Sequence, residues 1–316
     1  MFTGNDLAVI IPTRDRPSKL MELLESFCRQ SIICQRIIIV DSGENIENVL
    51  QAYINVLHLE YYRTDNPGQI SQRNLGISKL TNSTEFVCLF DDDIVLHDGA
   101  LEAMVSFWNN NCPHNTAGVS FNIVNGPIES HNFITGLIGQ TGPQAGKVLR
   151  SGRNTSIAHI RQSIKTEWLC GGATVWRQEV LLQYPHMLSD SKWAIYEDLI
   201  YSFPIGKIFP MFVCADARVD HNHVYREYGF RHHSYLGYSE TLWRFAFVKS
   251  NSDLSVSYFF WNQSAAILGR FFLCIFKFQI YQLYFIKGML MACVIAVKLN
   301  LSTDFSISSI AKYISK

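Results

Sequence analysis

The sequence predicts an α/β protein, a doubly wound and mainly parallel sheet with a C-terminal helical appendage. Three observations predict it. Strand-like and helix-like patterns alternate through the N-terminal third. The strand segments are unbroken apolar runs, as expected of strands buried on both faces. Polar clusters directly follow those runs, at the carboxyl ends where open α/β sheets bind ligands.

Leu7-Ala8-Val9-Ile10-Ile11 is the first such run, ended by Pro12 and followed by Thr13-Arg14-Asp15. Leu20, Leu23, Leu24 and Phe27 then keep helical spacing behind a start at Pro17-Ser18. Arg36 to Val40 is a second buried strand, stopped by Asp41-Ser42-Gly43. A helix is expected from Ile46 to Leu57, a short strand from His58 to Tyr62 and a helix from Ser71 to Leu80. Phe86 to Phe90 is the fourth strand, and it ends directly on Asp91-Asp92-Asp93. Leu101, Met104, Val105 and Trp108 form the next helical face. Regularity breaks after Val119 to Val124. Residues 126–165, rich in Gly, Asn, Ser and Gln, read as an irregular excursion. Glu167 to Cys170 looks strand-like, helices are expected near Arg177 and near Glu197-Asp198, and Met211 to Ala215 reads as a strand.

From Tyr235 onward large apolar and aromatic residues dominate. The expected division is a catalytic domain over 1–235, with a nucleotide-binding half to about 125 and an acceptor half beyond it, then a helical apolar region over 236–316. Lys277, Lys287 and Lys298 interrupt the apolar runs of 264–301 at spacings that would align them on one helical stripe. That pattern suits a helix lying in a membrane interface. The alternatives are a hairpin packed on the catalytic domain or on a second subunit in a homodimer, and true membrane spanning, which no uninterrupted apolar run here is long enough to favour.

The 27 basic and 27 acidic residues balance, and no Lys/Arg-rich run occurs, which argues against a nucleic-acid partner. The eight cysteines show no C-x-x-C spacing, so they read as reduced thiols. Met1 to Asp6 is polar and the apolar run after it is too brief for a secretory signal. The catalytic part is therefore expected on the cytosolic side.

Asp91-Asp92-Asp93 is the strongest local feature. Carboxylates two apart beyond a strand end can share a hard divalent cation, Mn²⁺ or Mg²⁺, which would neutralise a diphosphate leaving group. The alternative, a solvated acidic turn, is disfavoured by the very apolar strand before it. His221 and His223 stand at i and i+2, so on a strand they would share a face. Arg226 and Arg231 are candidate phosphate or acceptor contacts, against the plainer reading of solvated loop arginines.

These segments, taken in order, resemble the family 2 glycosyltransferases. Val9-Ile10-Ile11-Pro12-Thr13-Arg14-Asp15 is similar to the family's opening strand and nucleotide loop, and Val40-Asp41-Ser42-Gly43 to its second strand end. Asn66-Pro67-Gly68 with Gln72-Arg73-Asn74-Leu75-Gly76-Ile77 resembles the segment leading to the fourth strand. Phe90-Asp91-Asp92-Asp93-Ile94 looks like the D-x-D motif, Cys170-Gly171-Gly172-Ala173 with Arg177 like the acceptor-side Gly-Gly segment, and Tyr196-Glu197-Asp198-Leu199 like the acidic pair that supplies the base. The resemblance covers about residues 6–225.

It implies a GT-A fold, a nucleotide-sugar donor with UDP or dTDP by family habit, and inversion at the anomeric carbon. It further implies an acceptor hydroxyl on a glycan or lipid-linked glycan, as in cell-surface polysaccharide synthesis. Thr13, Arg14, Asp41, Arg73, Asp91, Asp92 and Gly172 would bind the nucleotide sugar. Asp91, Asp93 and His221 would hold the metal, and Asp198 would deprotonate the acceptor. On the residues alone, Glu197-Asp198 serves equally well as a helix cap. Two other enzyme classes fit less well, a haloacid-dehalogenase-type phosphatase and a sugar-nucleotide pyrophosphorylase. The first places its Asp-x-Asp on an early strand, and the second needs a Gly-rich loop after the first strand. A catalytically inactive nucleotide-sugar binding module is the non-enzymatic alternative.

Overall fold

The computed structural model describes residues 1–186, 195–223, 229–302 and 305–314. Arg226 lies outside the described residues. The chain forms two compact units that interleave in sequence. One comprises Met1–Ile128, Ile157–Trp193 and Tyr201–His223, the other Glu129–Ser156, Ala194–Ile200 and Val224–Lys316. The excursion after Ile128 therefore groups with the C-terminal helices.

The first unit is a curled mixed sheet. Its strands are β1 (Leu7–Thr13), β2 (Arg36–Asp41), β3 (Leu59–Arg63), β4 (Phe86–Phe90), β5 (Ile94–Leu96), β6 (Gly118–Ile123), β7 (Ile164–Thr166), β8 (Ala173–Arg177) and β9 (Met211–His221). The order is β3-β2-β1-β4-β8-β6-β9-β5, with β7 beside β9. The four N-terminal strands pair in parallel, as their intervening helices require. Beyond β4 the sheet turns antiparallel, at β4–β8, β8–β6 and β9–β5.

Alternation along the strands sends Leu7, Val9, Ile11, Ile37, Ile39, Cys88 and Phe90 to one core. It sends Ile10, Ile38, Val40, Val87 and Leu89 to the other. Both faces are covered, which is why the strands read as continuous apolar runs. The covering helices include α1 (Pro17–Cys28), α2 (Glu47–Leu50), α3 (Gln69–Ile77) and α4 (Ala100–Asn111).

Some local expectations are revised. The helix expected from Ile46 to Leu57 stops at Leu50. Bonds of i+3 type from Tyr53 to Leu50 and from Val56 to Tyr53 replace it, in a stretch carrying β-branched Val49, Ile54 and Val56. The strand expected over Glu167 to Cys170 lies earlier, as β7. There the Leu169 N–H donates to Ser202 Oγ (3.0 Å) and Thr166 Oγ1 to the Trp168 carbonyl (2.9 Å), so side chains take over backbone groups that a ladder would use. None of the eight cysteines is in a disulfide.

The second unit is helical, with α5 (Phe133–Leu137), α8 (Phe230–Lys249), α9 (Val256–Lys277) and α10 (Tyr281–Leu301). Helix α6 (Gln178–Gln183) belongs to the first unit, and α7 (Glu197–Gly206) begins in the second and ends in the first. Helix α10 lies against α8 at close range, because Gly288 faces the Ser234 carbonyl where a Cβ would collide. Lys249 closes the end of α10 by donating to the carbonyls of Leu299 (2.6 Å) and Asn300 (2.9 Å). The expected single stripe of lysines is corrected here. The chain breaks at Phe278, in the left-handed region (φ 52°), so Lys277 ends α9 while Lys287 and Lys298 belong to α10.

Candidate active site

Sheet register assembles the site. Thr13 and Asp41 are paired residues at the ends of β1 and β2. Strand β4 delivers Asp91, Asp92 and Asp93 beside them, since β1 pairs with β4. Strand β9 supplies the other wall. After a register shift between Phe121 and Asn122, β9 stays beside β6 as far as Ile123↔Val219 and also pairs antiparallel with β5, which sets His221 opposite Ile94, next in the chain to Asp93. The Asn222 N–H donates to the Asp93 carbonyl (2.8 Å), tying the two walls together.

Asp93, His221 and His223 converge, with ligand atoms within 4.8 Å of one another. His221 Nε2 lies 3.0 Å from Asp93 Oδ1, and His223 Nδ1 lies 3.9 Å from Asp93 Oδ2. Asp93 Oδ1 is buried and, among the described residues, receives no well-directed hydrogen bond. A carboxylate oxygen so placed beside two imidazoles is a donor set suited to a divalent cation. Burial pushes the Asp93 carboxyl up, but His221, His223 and Arg16 more than reverse this and hold it low. Burial pulls His221 down, and Asp93 and Asp91 more than compensate, raising it above 6.5. His223 is lowered by burial and by its neighbour His221.

Arg16 occupies the centre of the carboxylates. Its Nη1 lies 3.1 Å from Asp92 Oδ1 and 3.3 Å from Asp93 Oδ2. Asp92 also accepts from Thr13 Oγ1 (2.8 Å). Burial, opposed by Thr13 and Arg16, still pushes Asp92 up to about 6. Asp92 thus makes hydrogen bonds inside the site while its neighbour Asp93 faces the histidines.

Asp91 points elsewhere. Its Oδ1 accepts from Arg73 Nη2 (2.6 Å) and from Gln69 Nε2. The cation cluster therefore takes His223 where Asp91 was expected. Gly172 has a steric reason, since a Cβ there would collide with the Asp91 carboxylate; its carbonyl accepts from the Asp91 N–H (2.9 Å). Asp41 is buried, accepting from Tyr61 Oη (2.7 Å) and the Gly43 N–H (2.7 Å). Arg14 stays exposed beside Asp15 (3.4 Å). Asp198 stands in the first turn of α7, in the helical unit, and its Oδ1 accepts from the Leu199 N–H (2.8 Å).

Sequence reading missed Arg16, Gln69 and Gln72. Gln72 is buried and donates to the carbonyls of Thr13 (2.8 Å) and Val40 (2.7 Å), pinning the ends of β1 and β2. Arg16 sits one residue before Pro17 at a helix start, and its distance from the Asp triplet in sequence gave no sign of contact. Arg231 lies exposed in the first turn of α8, with His232 and His233 beside it in the same helix.

An open sheet whose carboxyl ends gather carboxylates and histidines around a cation-sized gap is the architecture of GT-A glycosyltransferases. Structural comparison agrees on the fold. The chain is similar to Staphylococcus aureus TarS 1-349, with TM-score 0.57 and 16% identity over 98% of this chain and 87% of that one. It is similar to the mannosyltransferase PcManGT of Pyrobaculum calidifontis, with TM-score 0.55 and 13% identity over 95% and 88%. Residues 8–180 match the glycosyl transferase family 2 model, and the chain belongs to that family. An uncharacterized Bacillus subtilis (strain 168) glycosyltransferase, YwdF, is 35% identical over 103 residues, 31% of this chain and 36% of that protein. An uncharacterized Rickettsia bellii glycosyltransferase is 27% identical over 107 residues, 33% of this chain and 15% of that protein. The matches thus span about a third and about a seventh of those relatives.

Proposed function

We propose that the chain transfers a sugar, with inversion, from a nucleotide-diphosphate donor to an acceptor hydroxyl, and that a divalent cation, Mn²⁺ or Mg²⁺, assists. The observation that carries this reading is the Asp93, His221, His223 group at the strand ends, beside Thr13, Arg16 and Asp92. GalNAc-T7 with UDP, GalNAc and Mn²⁺ (TM-score 0.51, 16% identity over 71% of this chain and 44% of that one) and PcManGT with GDP-Man and Mn²⁺ lend support.

Asp93, His221 and His223 would hold the cation, which when bound supplies positive charge to the departing diphosphate. Arg16, beside Asp92 and Asp93, would contact the diphosphate, and Arg73 would lie near the nucleotide. Asp41 at the end of β2 and Thr13 at the end of β1 would line the nucleoside pocket together with Arg14. Asp91, held by Arg73 and Gln69, would meet the ribose. Asp198 would take the proton from the acceptor hydroxyl as it attacks the anomeric carbon. The donor is read as UDP- or dTDP-linked and the acceptor as a glycan or lipid-linked glycan. The protein is placed at the cytosolic face of a membrane, where a lipid-linked acceptor is presented.

A donor panel tests this reading. UDP-, dTDP- and GDP-sugars are screened by saturation-transfer NMR and thermal shift, with and without Mn²⁺. A cation-dependent shift with one nucleotide class is expected. No binding to any nucleotide sugar, with Mn²⁺ present, would overturn the reading.

A further inference from the structure

The helical unit encloses charge within an apolar interior that includes Trp243, Phe245 and Phe259. Arg244 is buried, donating to Asn262 Oδ1 (2.7 Å) and to Gln263 Oε1, while Arg153 pairs with Glu240 (2.9 Å). The outside is apolar. Leu268, Phe271, Phe272, Ile275 and Phe276 of α9 are exposed, as are Leu290, Met291, Val294 and Val297 of α10. Exposed apolar surface of this extent calls for a partner.

A second, sequence-distant segment extends it. Helix α5 is capped by Asn132, whose Oδ1 accepts from the Thr135 N–H (3.0 Å), so its conformation is set locally. It presents Phe133 (83% exposed), Ile134 and Leu137 outward. Trp261 Nε1 of α9 donates to the Leu137 carbonyl (3.3 Å), and Asn262 to the Ile138 carbonyl (2.9 Å). The apolar faces of α5 and α9 therefore adjoin.

Charge and aromatic placement select the partner. Between Asp253 and Asp304 there is no Asp or Glu, whereas Arg270, Lys277, Lys287 and Lys298 all occur. Tyr258, Trp261, Tyr281 and Tyr284 are exposed on the same helices. Cations and amphipathic rings rimming an apolar face match an anionic lipid interface. In a two-fold pairing of copies the same patch would face itself, cation against cation.

Helices α9 and α10, at 22 and 21 residues, are long enough to cross a bilayer. Crossing is disfavoured because α10 packs along α8, which carries Arg231, His232, His233, Glu240 and Arg244 and would be drawn to membrane depth with it.

We propose that the outer face of α9 and α10 lies in the plane of an anionic membrane surface and that α5, through Phe133, Ile134 and Leu137, is part of the lipid contact. This rests on the membrane placement given above and adds the residues and orientation.

The test is flotation of the full chain with phosphatidylglycerol–phosphatidylcholine vesicles against pure phosphatidylcholine, alongside Mn²⁺ binding by calorimetry. The wild-type chain is expected to float with the anionic vesicles and to dissociate in high salt. The F133S/I134S/L137S variant should partition at least about a hundredfold less, the scale for removing three large apolar side chains that are half-buried in lipid, with Mn²⁺ binding unchanged. F272S/F276S should fall similarly. In F133W, the added tryptophan should be quenched by brominated lipid, a readout that keeps the apolar surface intact. Flotation unaffected by the α5 variant, with Phe133→Trp unquenched, would overturn the role of α5 and leave membrane placement standing. A wild-type chain that ignores vesicles and dimerises in sedimentation would overturn the lipid proposal, while Mn²⁺ and donor binding still report on the transferase reading.

Discussion

The two units handle buried charge in opposite ways. In the sheet unit, charged groups gather at one end of an apolar core, where Asp92 and Asp93 are nearly inaccessible. In the helical unit, Arg244 sits fully inside among apolar side chains, its guanidinium 5.0 Å from the Phe259 ring centre, while a further set of apolar side chains on α9 and α10 is exposed. The first arrangement leaves carboxylate and imidazole lone pairs available to a ligand. The second ties helices together through Asn262, Gln263 and Glu240. On the proposed reading burial of charge serves binding in one unit and architecture in the other, and substitutions should separate the two.

Asp93→Ala should have the largest effect and fall on activity alone. Transfer should drop well below one-hundredth, since even outer-shell losses around metals cost about 10–100-fold. EDTA should mimic it, and Mn²⁺ or Mg²⁺ should restore the wild type but not the variant. Asp92→Ala should cost less, because Asp92 bonds Thr13 and Arg16 and stands outside the cation cluster. Full transfer in chelator would remove the cation from the reading.

Asp198→Asn should lower turnover about 10²–10⁴-fold, the usual loss for a general base, with donor affinity retained. If donor binding falls in parallel, Asp198 acts as a cap on α7, as its bond to the Leu199 N–H permits.

Arg244→Met should invert this pattern. Removing one member of a buried charged network typically destabilises by about 3–5 kcal/mol. Burial already pulls the Arg244 guanidinium down to about 10, so it stays charged at neutral pH and its partners depend on it. Chemical denaturation should report the loss, and nucleotide affinity of the folded fraction should be unchanged. Unaltered stability would show that Asn262 and Gln263 find other partners.

The parallel half of the fold was legible because each strand is a buried apolar run with polar residues at its end. Asp41, Asp91, Asp92 and Asp93 were found for that reason. What escaped depends on pairing between distant segments. Arg16 meets Asp92 only because β1 and β4 are neighbours, and Gln72 reaches the Thr13 and Val40 carbonyls only because α3 lies over β1 and β2. That His223 rather than Asp91 lies with Asp93 and His221 follows from Arg73 and Gln69 drawing Asp91 aside, which spacing alone does not encode. The exposed apolar face of the helical unit was half legible. Apolar length was plain, but the break at Phe278 and the alliance of α5 with α9 were not.

The smallest expected effect is a pH dependence of Mn²⁺ affinity, and it sharpens the contrast between a binding site and a structural charge. His221 has its pKa raised above 6.5 in the metal-free protein, by Asp93 and Asp91 acting against burial. An imidazole must lose its proton to ligate a metal. Below that raised pKa, binding therefore expels a proton, and affinity should strengthen about tenfold per pH unit as pH rises. Above it the dependence should flatten. His223 is lowered and Asp93 is held low, so neither retains a proton that competes in this window. Asp92, at about 6, lies below it and adds a negative charge near the cation as it ionises, steepening the low end slightly. Calorimetry in buffers of different ionisation enthalpy counts the protons directly. About one proton should leave per Mn²⁺ just below the His221 pKa, and His221→Asn should abolish that release while weakening binding. A wild-type protein that binds Mn²⁺ without proton release across this range would leave His221 as a partner of Asp93 and no ligand at all.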